Sequence, residues 1–228
     1  MREIVFDTET TGLSFHAGDR LVEIGCVELF NRVDTGRHWH AYFNPERDMP
    51  EEAARIHGLR SDFLRAKPLF SHLVHELLDF IADSPLIAHN ATFDFAFLNG
   101  ELSRCGRPLV CTTRMVDTLP IAQKKHPGAK HNLDALCTRF GIDRSHRVLH
   151  GALLDAQLLA QVYVELMGGR QIGLGLVDEV KAAAAPSAAT LARPVRPARV
   201  FTVSEGERAR HRAFLSTVTA PLWGEAFG

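Results

Sequence analysis

Three apolar runs lie close together at the start of the chain, and their spacing limits the possible fold more than any other feature. IVF at 4–6, LVEIGCVELF at 21–30 and HWHAYFNP at 38–45 read as strands separated by polar or glycine-containing turns. Connections this short predict an antiparallel meander. Beyond it the period changes. Phe70, Leu73, Val74, Leu77, Leu78 and Ile81 recur at helical spacing, so 70–81 is expected as an amphipathic helix over one sheet face. PLIAHN at 85–90 reads as a strand, TFDFAFLNGELSRCG as a helix capped by Thr92 and ending near Gly106, and LVCTT at 109–113 as a fifth strand. Further helices are expected over 115–125, 132–140 and 152–167. An early meander followed by strand and helix alternation implies an α/β fold with a mixed five-stranded sheet flanked by helices.

Composition shifts near residue 170. With 228 residues, the chain has room for one domain of ordinary size and an appendage. KAAAAPSAATLARPVRPA at 181–198 holds almost no large apolar residue and reads as a linker in a flexible C-terminal tail. After it, Ser204 and Glu207 have capping-box spacing. Phe214, Leu215, Val218 and Leu222 then place an apolar stripe on a short helix interrupted at Pro221. A helix of this kind at the end of a linker needs a partner.

A net charge of −1 excludes bulk electrostatics as the basis of nucleic-acid binding, so any such contact must be local. Cys26, Cys105, Cys111 and Cys137 are far apart and form no CxxC pair, so they are expected as reduced, mostly buried packing residues. No apolar run approaches the roughly 20 residues that cross a bilayer. The opening MREIVFDTET is acidic where a secretory leader is apolar, so a cytoplasmic location without membrane contact is expected.

Asp7 and Glu9 stand two apart at the end of the first strand, so both carboxylates project from one face. Asp94 falls in the first turn of the helix after PLIAHN, where the helix dipole alone would favour an acid. Asp155 begins another helix, with His150 in the preceding loop. If these carboxylates converge on one sheet edge, an oxygen-only set suits Mg²⁺ or Mn²⁺. Two such ions about 3.5–4 Å apart serve phosphodiester hydrolysis. His150 has the chemistry to take a proton near neutral pH.

FDTETTGL at 6–13, HNATFDFAFL at 89–98 and HGALLDA at 150–156 resemble, in order, the three exonuclease motifs of the DEDD superfamily, in the subgroup whose base is histidine. The likeness spans residues 3–168. It implies a ribonuclease H-like fold and 3′→5′ exonuclease activity, with Asp7, Glu9, Asp94 and Asp155 as ligands of two divalent ions and His150 as the base. It also implies contacts to the terminal nucleotide from Thr8, Thr10, Thr11, Gly12 and Leu13, with Leu13 wedged beside the base. Glu52, His57, His89, Asn90 and Phe93 would line the same cleft. The other histidines form no ligand pattern and are expected on the surface or in loops.

The tail separates members of this superfamily. Gln171, Leu174 and Leu176, after Gly168-Gly169, resemble the short peptide by which replication proteins dock on the sliding clamp. RVFTVSEGERARHRAFLSTVTAPLW at 199–223 resembles the tail by which the epsilon subunits of bacterial DNA polymerase III bind the alpha subunit, with Phe214, Leu215, Leu222 and Trp223 as contacts. The expected organisation is an exonuclease domain over 1–170, a clamp peptide over 171–177, a linker over 178–198 and a polymerase-binding tail over 199–228. The resemblance implies proofreading of DNA 3′ ends and leaves room for a small third core subunit. A stand-alone DNA or RNA trimming nuclease and a non-catalytic adaptor are the competing readings.

Overall fold

The computed structural model describes residues 1–145, 149–169 and 203–219. The chain divides into two compact units, Met1–Gly175 and Leu176–Gly228.

In the first unit, β1 (Arg2–Thr10), β2 (Leu21–Phe30) and β3 (Val33–Tyr42) form the antiparallel meander. Asn31 and Arg32 make the β2–β3 turn, both at positive φ (51° and 64°). Two left-handed residues match the twist of a tight hairpin. β4 (Leu86–Ala88) and β5 (Met115–Asp117) add in parallel, giving the order β3-β2-β1-β4-β5.

Alternation along β1 sorts its side chains between two helical layers. Ile4 and Phe6 join Ile24, Cys26, Val74, Leu77 and Phe95 under α3 (Phe70–Ile81) and α4 (Ala91–Arg104). Val5 joins Val27, Leu29, Ile87, Leu159 and Tyr163 under α7 (Ala152–Leu166). α5 (Thr118–Lys125) and α6 (Leu133–Phe140) pack on α7 through Ala122, Leu136, Cys137, Leu158 and Val162. Each large apolar side chain buried here contributes about 1.5–3 kcal/mol. Two short helices, α1 (Glu51–His57) and α2 (Ser61–Arg65), lie in the connection after β3.

Several boundaries depart from the sequence expectation. The third strand is Val33–Tyr42 rather than 38–45, because the hairpin turn takes only two residues. The fifth strand is Met115–Asp117, not LVCTT at 109–113. Val110 instead bonds the Asn99 side chain in both directions, at 2.8 and 3.0 Å, so a side-chain amide stands in for a strand neighbour. α5 accordingly starts at Thr118, capped by Asp117 through the Leu119 amide. α4 starts at Ala91 with Asn90 as its N-cap, so Thr92 lies inside the helix. Cys26 and Cys137 are buried, whereas Cys105 is half-buried and Cys111 exposed.

In the second unit, α8 (Glu205–Leu215) opens with the expected capping box between Ser204 and Glu207. It ends before Val218, so the apolar stripe does not continue along one helix. The 178–198 linker lies outside the described residues.

Candidate active site

Asp7 and Glu9 continue the odd-numbered face of β1, so they look toward α7. The strand beside them carries a glycine, Gly25, directly opposite Asp7. A Cβ there would meet the backbone N and Cα of Leu153 at 2.3 Å. The bare strand therefore lets the first turn of α7 lie directly on the sheet. That turn carries Asp155, which is 3% exposed and whose N–H donates to the Gly151 carbonyl. His150, just before the helix, places Nδ1 3.2 Å from Asp155 Oδ2. Its own N–H donates to the Ile56 carbonyl of α1. One ligand atom from each of Glu9, His150 and Asp155 lies within 4.8 Å of the others.

Asp94 arrives from the opposite helical layer. Asn90 turns the chain into α4 in a left-handed conformation (φ 61°), and its N–H donates to Asp117 Oδ1 at 3.0 Å. Thr8, on the even face of β1, donates its hydroxyl to Asp94 Oδ1 at 2.7 Å. The five residues drawn from three separate motifs thus converge where β1 ends between α4 and α7.

Electrostatics mark this convergence as strained without a cation. Burial pushes the Asp7 carboxyl well above the usual range, and Asp94, Glu9, Asp155 and Glu23 add like-charge repulsion. Asp94 is pushed up to about 7 by burial, with the Thr8 hydrogen bonds pulling the other way. Crowded carboxylates that resist ionisation suit a divalent ion, whose attraction outweighs their mutual repulsion and the cost of burial. The donor set of hard oxygens fits Mg²⁺ or Mn²⁺ chemistry.

The family profile described as Exonuclease matches residues 4–163, most of the chain and all of this site. The DNA polymerase III subunit epsilon of Rickettsia conorii is 50% identical over 224 residues, 96% of each chain. The chain belongs to the exonuclease family, among the DNA polymerase III epsilon subunits. The subunit of that name from Escherichia coli is 41% identical over 227 residues, 95% of this chain and 93% of its own. Two solved structures share the fold: exonuclease X with 5′-overhanging duplex DNA (TM-score 0.56, 24% identity, 72% of this chain, 90% of that one). The other is the zinc-bound complex of E. coli exonuclease I with single-stranded DNA (TM-score 0.63, 18% identity, 75% and 41%).

The remaining expected cleft residues of this epsilon-type domain fall in three places. Thr10 and Thr11 are buried, while Leu13 beyond Gly12 is 86% exposed. On α1, Glu52 is exposed and His57 is buried. His57 Nδ1 accepts from the Leu59 N–H at 3.1 Å, and Nε2 has no partner among the described residues. Burial holds the His57 pKa low, and the nearby His150 acts in the same direction. At the head of α4, His89 Nδ1 lies 2.8 Å from the Thr118 hydroxyl, and burial lowers its pKa. Asn90 is exposed and Phe93 is half-buried against Phe97.

Sequence reasoning passed over Gly25, Glu23 and Asp117. Glu23 pairs across the strands with Glu9, is 3% exposed, and lies 2.7 Å from His40 Nε2. A carboxylate and a glycine inside the apolar run LVEIGCVELF were the available signals. Phe214 and Leu215 sit on α8 in the second unit, with Phe214 63% exposed. Gln171, Leu174, Leu176, Leu222 and Trp223 lie outside the described residues. No helix among the described residues is long and apolar enough to cross a membrane.

Proposed function

We propose that this chain is a metal-dependent 3′→5′ exonuclease that releases nucleoside monophosphates from single-stranded or mispaired DNA ends, proofreading for DNA polymerase III. The convergence of Asp7, Glu9, Asp94 and Asp155 beside His150 carries this reading. The four carboxylates would hold two divalent ions, Mg²⁺ or Mn²⁺. Such ions, when bound, acidify water and neutralise charge on a phosphodiester. His150, oriented through Nδ1 by Asp155, takes the proton of the attacking water. Thr8 positions Asp94, and Thr10, Thr11, Gly12 and Leu13 bear on the terminal nucleotide. Glu52, His57, His89, Asn90 and Phe93 complete the cleft, where the buried His57 Nε2–H is a donor suited to a substrate oxygen.

A mispaired terminus unpairs at low cost, so a cleft that takes only unstacked nucleotides selects errors without reading sequence. The exonuclease domain occupies 1–170, and residues 171–177, with Gln171, Leu174 and Leu176, dock on the sliding clamp. The 178–198 linker tethers a tail, 199–228, that binds the polymerase alpha subunit through Phe214, Leu215, Leu222 and Trp223. The epsilon relatives support this assignment, as does α8, a capped helix that leaves Phe214 exposed. A tether raises the local concentration of nuclease at a frayed primer end. The setting is the bacterial cytoplasm.

Incubating 5′-labelled single-stranded DNA with the intact chain tests the chemistry. Stepwise shortening from the 3′ end that stops with EDTA or with Asp155→Ala is expected. No shortening with any divalent metal overturns the reading. Capture of the alpha subunit by residues 178–228 tests the partnership, and its absence removes the polymerase assignment.

A further inference from the structure

The loop joining β1 to β2 is held far more firmly than its length requires. The β1–β2 register shifts between Glu9 and Thr10, which launches residues 11–20 out of the sheet. The two ends of that loop are tied by the Thr11 N–H to the Arg20 carbonyl at 2.9 Å. Its centre is organised by one carboxylate. Asp19 Oδ1 accepts from the Thr11 hydroxyl at 3.2 Å, and Oδ2 accepts from the Ser14 N–H at 3.1 Å. Arg47, from outside the loop, donates to Oδ1 at 2.9 Å.

These bonds bracket Gly12 and Leu13. The Asp19 carboxylate lies directly against Gly12, where a Cβ would meet Oδ2 at 2.4 Å. The next anchor is Phe15, whose ring fills the space over Gly100 of α4 and meets Phe97 edge-on at 6.0 Å. Leu13, between the two anchors, is 86% exposed. The loop therefore holds the backbone on both sides of Leu13 while leaving most of that side chain exposed. Fixing a contact group in the free protein removes the ordering cost from the binding step.

We propose that Asp19 is a positioning residue for Leu13: its carboxylate presets the loop apex so that Leu13 meets the terminal base of the DNA without rearrangement. The proposal rests on the exonuclease reading above and on Leu13 contacting that base. Asp19 touches no substrate and acts through Gly12 and Ser14. Loss of the carboxylate leaves the metal site intact, because Asp7 and Glu9 lie in the strand before the register shift.

The test is a double-mutant cycle on the full chain, with kcat and KM measured on a single-stranded oligonucleotide. Asp19→Ala and Leu13→Ala should each raise KM about tenfold with kcat within about twofold. In the Leu13→Ala background, Asp19→Ala should add less than about twofold, since coupled residues do not add. Asp19→Asn, which keeps the shape and one acceptor, should restore part of the KM, and it replaces Asp19→Ala if that variant fails to fold. Equal KM effects of Asp19→Ala in both backgrounds, or a fall in kcat alone, overturn the positioning role. An unchanged KM in Leu13→Ala overturns the Leu13 contact and the proposal together. A wild-type chain that releases no mononucleotide overturns the exonuclease reading first, and the proposal with it.

Discussion

Gly25 and Leu153 meet backbone to backbone, with 2.3 Å between the Leu153 Cα and the place a Gly25 Cβ would occupy. This contact seats α7 beside Asp7 and so sets where Asp155 and His150 stand. Gly25→Ala should push the helix start off the strand. Overpacking of this kind costs about 1–3 kcal/mol, which denaturant unfolding will read. Exonuclease activity should fall at least about tenfold, since small displacements of reacting groups are costly. Wild-type activity in Gly25→Ala would show that α7 tolerates the shift.

Thr8 spends its hydroxyl on Asp94 at 2.7 Å in a buried setting. Thr8→Val keeps the volume and removes the side-chain donor, which costs about 0.5–1.5 kcal/mol because the backbone N–H groups of Thr8 and Asp94 still bond the carboxylate. The Asp94 carboxyl, already pushed up to about 7, should rise further. The half-saturating Mg²⁺ concentration at neutral pH should increase several-fold, and Thr8→Ser should restore it. A metal titration of activity decides the matter.

His150 and Asp155 differ in what they are expected to do although their side chains lie 3.2 Å apart. His150→Ala should lower kcat by about 10²–10⁴, the usual range for losing a general base. Thermal stabilisation by Mn²⁺ should survive that change and be lost in Asp155→Ala. If both variants lose the stabilisation equally, His150 is a metal ligand.

Without metal, the stability that protonated Asp7 and Asp94 contribute should fall as pH rises from about 4 through about 7, with only the last part of the loss above neutrality. Asp7 and Asp94 have raised pKa values, Asp94 at about 7, against about 3.9 in an unfolded chain. The folded state therefore binds more protons than the unfolded one, and stability declines with pH through the folded pKa. His57 and His89, shifted down by burial, act with the opposite sign. Their contribution is confined mainly to pH below about 7, because an unfolded histidine titrates near about 6.5. Melting curves in EDTA should show the decline, and saturating Mg²⁺ should stabilise more at pH 8.5 than at pH 7. A flat profile in EDTA would mean that the carboxylates ionise without penalty.

What the sequence carried was periodic or local. The meander, the amphipathic α3 and the box at Ser204 each follow from patterns spanning a few residues, and β1 shows its two faces in the alternation of Ile4, Val5 and Phe6. Asp7, Glu9, Asp94, His150 and Asp155 were legible because each falls within a short motif. The weakly periodic pieces were not. β5 has only three residues, and the β-rich run before it is held by Asn99 rather than by a strand. α1 and α2 are too short to show a helical period, and only Gly58 (φ 77°) marked an ending.

By itself, then, the sequence determined which side chains bring charge and which faces of the strands and helices carry them, since both follow from residue type and period. Only the tertiary structure decided that Gly25 admits α7, that Thr8 holds Asp94, that Glu23 stands opposite Glu9 and that Asp19 accepts from Ser14 beside Gly12. Three of these relationships join separate elements of the chain, and the fourth reaches across a turn. The sequence offered only single out-of-place residues, such as Glu23 and Gly25 within an apolar run, because which partner each residue meets is settled by how the layers and the loop pack.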